Sequence, residues 1–406
     1  MITRRITFRL YPTKSVDKTM HYWRRLHKDL YNACIYHRKV EYKHCGRNIS
    51  YYDQQKSLVG FKECFPEYKD LGSHALQNTL KRVDIAFNRF FRGLGGYPKF
   101  KGARYYRGWT YPCKSGWKAL SDGKNGKLKI SNLGIISMRG EARTWGKPTT
   151  CTIIWSQGKW YASITVKCEP TRETGKRAVG VDFGCVSAAS FSDGTKIDNP
   201  RFLATAMTQI RQLSKQLRRK KKRSSRWKKT QRQIAKLKRQ VANRRQDWIH
   251  KVAAEIVSDN SLVATEKLNV KNMTASAKTI NGRKQKAGLN RSILDVGFGG
   301  LHSAIKYKLE EAGGLFIEVP TKKVKPSQTC PSCGVQKKKG LDERVHQCPC
   351  GCVIDRDVAA AQVMLNYARG LGTSLLDDDG LALLQTPVYT GGFKQLSQMK
   401  RHKPYP

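Results

Sequence analysis

Five cysteines crowd between residues 330 and 352, and an acidic pair, Asp355 and Asp357, follows at once. Cys330 and Cys333 form a C-x-x-C knuckle with Gly334 behind it. Thiolates at that spacing suit a tetrahedral zinc ion, and in a chain with no secretory features they read as metal ligands rather than as disulfides. The second half offers Cys348, Cys350 and Cys352 for two places. Cys348 and Cys350 are preferred, because Gly351 follows Cys350 as Gly334 follows Cys333. Cys352 is the reserve ligand and His346 a weaker one. Four thiolates around one zinc make a closed structural site with no open position for water. One structural Zn²⁺ is therefore expected, and the chemistry must lie elsewhere.

The candidates for that chemistry are carboxylates. Asp182 ends A-V-G-V-D and Glu266 ends L-V-A-T-E, while Asp355 and Asp357 open D-R-D-V-A-A-A. Taken singly, each reads as a helix cap or a salt-bridge partner. Taken together, they are acids at the ends of two apolar strands and at the start of one helix. Clustered carboxylates need cations, and hard Mg²⁺ takes oxygen ligands. Two such ions about 3.5–4 Å apart can serve phosphodiester hydrolysis. Two catalytic Mg²⁺ are expected beside the zinc. No Ser-His-Asp or Cys-His pattern competes, and no G-x-x-x-x-G-K-[ST] loop points to an ATPase.

Charge identifies the partner. The chain has 406 residues, with 78 Lys and Arg against 30 Asp and Glu, a net +48. Self-repulsion of that size calls for a polyanion. There is no run of eighteen apolar residues, no lipidation motif and no signal peptide. A membrane partner is not expected, and the expected location is a prokaryotic cytoplasm, in association with the nucleoid. Nucleic acid is the expected partner. Residues 207–251 hold eighteen Lys and Arg and one acid, Asp247. Ile234, Leu237, Val241, Trp248 and Val252 keep a helical period through this segment. Arg218, Arg219, Lys220, Lys221, Lys222, Arg223 and Arg226 mark the turn between two helices and are expected to contact phosphates.

The elements that must position these residues follow from periodicity. Residues 3–11 alternate like a strand, and a helix runs from about Asp17 with Leu26, Leu30, Ala33 and Tyr36 on one face. A second helix spans Ser73 to Phe91, striped by Leu76, Leu80, Val83 and Phe87. Strands are expected at 128–138 and 149–168, the second as a hairpin turning at S-Q-G-K. Trp155, Trp160 and Tyr161 on it read mainly as core or cross-strand pairs rather than as platforms for bases. Segments 1–12 and 95–170 are expected to form a β-barrel, with a helical domain, 13–94, inserted. Beyond a linker come buried strands at 177–182, 262–268 and 315–319 and a hairpin closed by Asp193-Gly194. Residues 271–292, polar and basic, read as a mobile loop that could gate a site. Helices follow at 301–312 and 355–365, and the tail 371–406, with Asp377–Asp379, reads as disordered.

The order V-G-V-D-F-G, basic helices, A-T-E-K-L-N-V, then C-P-S-C-G and C-P-C-G-C-V-I-D-R-D-V-A-A-A closely resembles the TnpB family of transposon-encoded RNA-guided DNA endonucleases, relatives of type V CRISPR effectors. L-Y-N-A-C, S-Y-Y-D-Q-Q, L-Q-N-T-L-K-R-V-D-I-A-F-N-R-F-F and G-Y-P-K-F-K extend the resemblance through about residue 370. It implies an α+β and α/β multidomain chain: a wedge-like barrel, a helical recognition domain, and an RNase H-like RuvC domain at 175–325 and 353–370 carrying a zinc knuckle at 326–352. Asp182, Glu266 and Asp357 would fill the three acidic positions. Tyr52 and Gln77 would read a short motif beside the target. The partners implied are a guide RNA from the element's own end and target double-stranded DNA.

Two positions depart from the family pattern. Ala359 stands where Asn is usual, and the second knuckle is C-x-C rather than C-x-x-C. Ala359 favours one alternative, an idle RNA-guided DNA-binding repressor; a small type V CRISPR effector and an unguided RNase H-fold resolvase or transposase are two more.

Overall fold

A computed structural model of the chain describes residues 1–277, 282–340 and 343–370. The expected disordered tail 371–406 lies outside the described residues, as does the centre of the expected mobile loop, 278–281. The chain divides into two compact units, Met1–Thr171 and a second from Arg172 onward.

The first unit opens with β1 (Ile2–Tyr11) and four helices, α1 (Lys14–Cys45), α2 (Tyr51–Lys56), α3 (Leu58–Cys64) and α4 (Ser73–Phe91). Helix α1 begins three residues before the expected Asp17, because Thr13 caps it by accepting from the Val16 amide at 3.4 Å. Gly46, at φ 63°, ends it. Helix α4 buries the predicted stripe, Leu76, Leu80, Val83 and Phe87. Each such side chain contributes roughly 1.5–3 kcal/mol when fully buried.

Six strands follow: β2 (Gly108–Tyr111), β3 (Trp117–Leu120), β4 (Gly126–Ile130), β5 (Gly134–Arg139), β6 (Lys147–Ser156) and β7 (Lys159–Cys168). With β1 they make a nearly closed, barrel-like sheet in the order β2-β6-β7-β1-β5-β4-β3. The run expected as one strand at 128–138 is two, folded back at Asn132 in the left-handed region (φ 62°). The β6–β7 hairpin turns at Gln157 and Gly158, both at positive φ, the backbone a two-residue hairpin loop requires. Trp160 is fully buried and donates its indole N–H to Asp17 at 2.8 Å. It is core, not an exposed platform.

The second unit begins with β8 (Arg177–Asp182), β9 (Ser187–Phe191) and β10 (Lys196–Asp198). Two long basic helices follow, α5 (Phe202–Arg218) and α6 (Ser225–Asp259). Then come β11 (Asn260–Glu266), α7 (Val270–Met273), α8 (Arg283–Val296), α9 (Phe298–Ala312), β12 (Leu315–Val319) and α10 (Thr321–Val324). A two-stranded ribbon, β13 (Val345–Gln347) with β14 (Val353–Asp355), leads into α11 (Arg356–Ala368).

The main sheet has the order β10-β9-β8-β11-β12. Strands β8, β11 and β12 are parallel, while β9 and β10 run antiparallel. Side chains alternate across a strand, so its two faces build two cores. Val179, Val181 and Val263 pack with α6 and α9 residues such as Ile256, Leu301 and Ile305. Leu262, Ala264 and Val319 pack with Val363, Met364 and Leu365 of α11.

The segment 271–292 corrects the expectation of a mobile loop. Residues 283–292 form the first turns of α8, whose Ile293, Asp295 and Val296 are buried. Arg, Lys, Gln, Ala and Leu in R-K-Q-K-A-G-L outweigh the single glycine there. Among the described residues, no helix is long and apolar enough to cross a membrane.

Candidate active site and metal centre

The carboxylates are brought together by strand periodicity. Ala264 of β11 pairs with Gly180 of β8, and Thr265 pairs with Val181. Two residues past the Ala264–Gly180 pair come Glu266 and Asp182, on the same face of neighbouring strands. That face is the one α11 covers, and α11 carries Asp357 in its first turn. Helix α11 can approach because residue 180 is glycine. A Cβ there would lie 1.8 Å from the carbonyl oxygen of Ala361.

The electrostatics follow from this convergence. Burial pushes the Asp182 carboxyl well above the usual carboxylate range, and the negative charges of Glu266 and Asp357 push it further. Arg356 and the Phe183 amide oppose the rise without cancelling it. Burial raises the Glu266 carboxyl as well. Asp182 and Glu266 line one pocket of about 170 Å³, together with Lys325, Ser327 and Gln328. The last three were missed in the sequence. Their signal is the polar run K-P-S-Q just beyond the carboxyl end of the 315–319 strand, where open parallel sheets place their ligands.

Asp355 and Asp357 have separate places. Asp355 is the N-cap of α11 and accepts from the Asp357 and Val358 amides at 3.0 and 3.2 Å. It also pairs with Lys196 at 2.7 Å. Burial would raise its carboxyl, but Lys196 and the two amides outweigh that and hold it below the usual range. Asp355 is thus committed to the helix terminus, and Asp357 is the acid whose charge reaches Asp182. Ala359, two residues on, is buried and adds no donor atom.

The cysteines form a compact cluster. The sulfurs of Cys330, Cys333, Cys348 and Cys350 all lie within 4.8 Å of one another. Cys333 and Cys348 are 3.4 Å apart and Cys330 and Cys350 3.6 Å. Four sulfurs about 2.3 Å from one zinc would be separated by about 3.8 Å, so the cluster fits that ion closely. The glycines expected to turn each knuckle do so. Gly334 (φ 75°) donates to the Cys330 carbonyl and Gly351 (φ 89°) to the Cys348 carbonyl, both at 3.0 Å. Cys352 falls in a second set with Cys330 and His346. His346 is buried on β13, and its Nδ1 is hydrogen-bonded to Lys339.

The basic run lies where α5 gives way to α6. Arg218, Arg219, Lys221, Lys222, Arg223 and Arg226 are exposed. Lys220 differs, because its ammonium is bound to the buried Thr230 hydroxyl and serves the fold. A pocket of about 420 Å³ beside the start of α5 shares no residue with the acidic one. Its acid, Asp295, is already used, accepting from the Leu203 amide at 2.9 and 3.0 Å and pairing with Arg245 at 2.7 Å. In the first unit, Tyr52 is exposed on α2 and Gln77 is half-buried on α4, against which α2 packs.

Known proteins resemble the chain along most of its length. A family model described as OrfB_IS605, "Probable transposase", matches residues 162–277, and one described as "Cas12f1-like, TNB domain" matches residues 298–364. The Escherichia coli (strain K12) protein named "Putative RNA-guided DNA endonuclease InsQ" is 30% identical over 84% of this chain and 85% of its own. A Streptomyces pristinaespiralis protein named "Putative RNA-guided DNA endonuclease" is 28% identical over 93% of this chain and 92% of its own. A cryo-EM structure of a Cas12f1-sgRNA-target DNA complex aligns with 91% of this chain and 100% of that chain, at 14% identity and a TM-score of 0.33. That last likeness is too low to carry an argument.

Proposed function

Because the chain belongs to the TnpB family, we propose that it is an RNA-guided DNA endonuclease that cuts by metal-dependent phosphodiester hydrolysis. It binds a guide RNA made from its own transposon end, reads a short motif beside the target with residues that include Tyr52 and Gln77, and opens double-stranded DNA by pairing with the guide. The observation that carries the catalytic part of this reading is the β8–β11 register, which sets Asp182 and Glu266 side by side in one pocket on the sheet face covered by α11, the helix with Asp357 in its first turn. The three come from segments far apart in sequence and converge on one face of a sheet. The strand order, with three parallel strands and an antiparallel hairpin at one edge, supports an RNase H-like domain of RuvC type.

Asp182, Glu266 and Asp357 would hold two Mg²⁺. The donor set fits: every ligand atom is a hard carboxylate oxygen, and Asp182 and Glu266 share one pocket. When bound, those ions supply polarisation of the phosphodiester and activation of a water. The chain's own residues do the rest. Asp182 and Glu266 are fixed by the β8–β11 register, and Asp357 by the Asp355 cap of α11. Lys325, in the same pocket, offers a positive charge to the scissile phosphate. Arg356 donates to the Gly340 carbonyl at 2.6 Å and so ties α11 to the chain before β13.

The four-cysteine cluster is assigned a structural zinc. It has no open position, and its place just before α11 suits a brace for the helix that carries Asp357. The exposed cations between α5 and α6 are assigned to phosphate contact, since a chain of net charge +48 requires a polyanionic partner.

The direct test expresses the protein with its native flanking DNA and sequences the RNA that copurifies. A plasmid library matched to that RNA is then incubated with Mg²⁺. Cuts at a fixed distance from one short motif, lost in Asp182→Ala, are expected. Bound RNA with tight target binding but no cuts would shift the reading to a repressor. No bound RNA would defeat guidance altogether.

A further inference from the structure

Between Asp84 and Asp122 the first unit carries eight Lys and Arg and no further Asp or Glu. The same segment leaves large rings in water. Phe91 is 71% exposed, Phe100 56% and Tyr105 75%. Large rings left in water within one short segment are candidates for contact with a partner.

The surface is held in shape. The Leu94 amide donates to the Arg89 carbonyl at 2.8 Å and the Gly93 amide to the Phe90 carbonyl at 2.9 Å. Farther on, Asn32 grips Lys101 twice, donating to its carbonyl at 3.1 Å and accepting from its amide at 2.8 Å. Phe91 rests on a shelf of other rings, with its centroid 5.4 Å from Phe90 and 6.3 Å from the buried Phe87. Tyr97 meets Phe90 edge-on at 5.2 Å. Phe91 and Tyr97 are therefore held in place by neighbouring rings.

We propose that the segment from Phe91 to Tyr105 is a stacking platform for unpaired nucleic-acid bases, with the surrounding cations holding the flanking phosphates. The inference rests on the reading that the chain binds nucleic acid. A flat ring accepts any base on its π-face, and cations without acids match a phosphate backbone. A second copy of the chain is disfavoured as occupant, because two copies of a chain of net charge +48 repel.

The test uses the full chain, freed of copurified nucleic acid at high salt, and a fluorescein-labelled 20-nucleotide single strand as probe. The strand is prepared as RNA, as DNA, and as an abasic version of each. Phe91, Phe100 and Tyr105 are replaced together by alanine, and Phe91→Trp serves as the conservative variant. The rings are exposed, so the melting temperature should hold. Strand affinity should fall on the order of tenfold or more in the triple variant, with the salt slope unchanged. Affinity for abasic strands should be alike in wild type and triple variant. Phe91→Trp should bind as wild type. A larger loss with RNA than with DNA would name the guide as the source of the bases, and the reverse would name the opened target.

Equal affinity of the triple variant and wild type for the intact strands overturns the platform. So does a loss of the same size on abasic strands, or a wild-type dimer that becomes monomeric in the variant while strand affinity stays constant. Ring-dependent binding to phosphatidylserine vesicles without ring-dependent strand binding would assign the face to a lipid surface instead. A wild type that binds no strand at all would sink the nucleic-acid reading together with the platform, whereas binding that ignores the rings sinks only the platform.

Discussion

Gly180 of β8 lies directly beneath the carbonyl oxygen of Ala361 in α11, so close that a Cβ would come within 1.8 Å of it. This contact seats the helix that carries Asp357 on the strand that carries Asp182. Gly180→Ala should push α11 away from the sheet. We expect cleavage to fall by at least about tenfold, since small misplacements of reacting groups cost that much or more. Guide RNA should still copurify. Comparing cleavage rate with bound RNA in the same preparation checks this, and a variant that cuts normally would show that the helix needs no such seat.

Asp357 and Asp355 should separate cleanly. Asp357→Asn is expected to abolish cleavage while target binding persists. Asp355→Asn should retain much of the activity, because asparagine also caps helices well. Loss of the Lys196 pair, which is partly exposed, should cost about 1 kcal/mol or less. Single-turnover cleavage and a filter-binding assay on both variants decide the matter. Equal loss in the two would mean that Asp355 also belongs to the reacting site.

The raised carboxyl of Asp182 makes a pH prediction whose sign can be worked out. The folded protein holds that proton more tightly than the unfolded chain does, where an aspartate titrates near 3.9. The group's contribution to stability is therefore full at low pH and is lost as pH rises from the ordinary carboxylate range through the raised value. Without divalent metal, Asp182→Asn should melt higher than wild type, and the gap should widen from pH 5 to pH 8. Added Mg²⁺ should stabilise wild type and not the variant. Thermal melts with and without EDTA test both statements. A gap that narrows with pH would contradict a proton-retaining carboxyl at this position.

Zinc retention should rank the cysteines. Cys330 belongs to both candidate ligand sets, so Cys330→Ser should lose the metal. Cys352→Ser should keep one zinc per chain, and Cys350→Ser should weaken its hold. Metal content by mass spectrometry and release to a chromogenic chelator give the ranking. Full loss of zinc in Cys352→Ser with retention in Cys350→Ser would reverse the ligand assignment.

Replacing Arg218, Arg219, Lys221 and Lys222 by glutamine should weaken nucleic-acid binding at low salt. It should also reduce the slope of log affinity against log salt by roughly 3, since each phosphate contact contributes about 0.7–0.9. Lys220→Met should act differently and lower the melting temperature, because Lys220 serves the buried Thr230. An unchanged slope in the fourfold variant would leave the run as a solvated surface.

Much of this protein was legible in the residues alone. The knuckle spacing, the apolar strands ending in Asp182 and Glu266, the α4 stripe and the uncompensated cations follow from local chemistry, which short-range pattern encodes. Local pattern also misled at 283–292, where polar composition suggested a loop and helix-forming side chains anchored by Ile293 and Val296 made α8. Other features depend on contacts between residues far apart in sequence. The resemblance picked Asp357 over Asp355, and the reason Asp355 is committed elsewhere, to Lys196 and two backbone amides, is tertiary. Gly351 favoured Cys350 over Cys352 in the residues alone, and the meeting of its sulfur with those of Cys330 and Cys333 is a matter of tertiary structure. The exposure of Phe91, beside a Phe87 that is buried, was set by what packs above α4, and no periodicity records that. Sequence determined which groups could do chemistry, because residue type and spacing are local. Tertiary structure decided which of them meet, because register, helix seating and burial are fixed only when distant segments share one core.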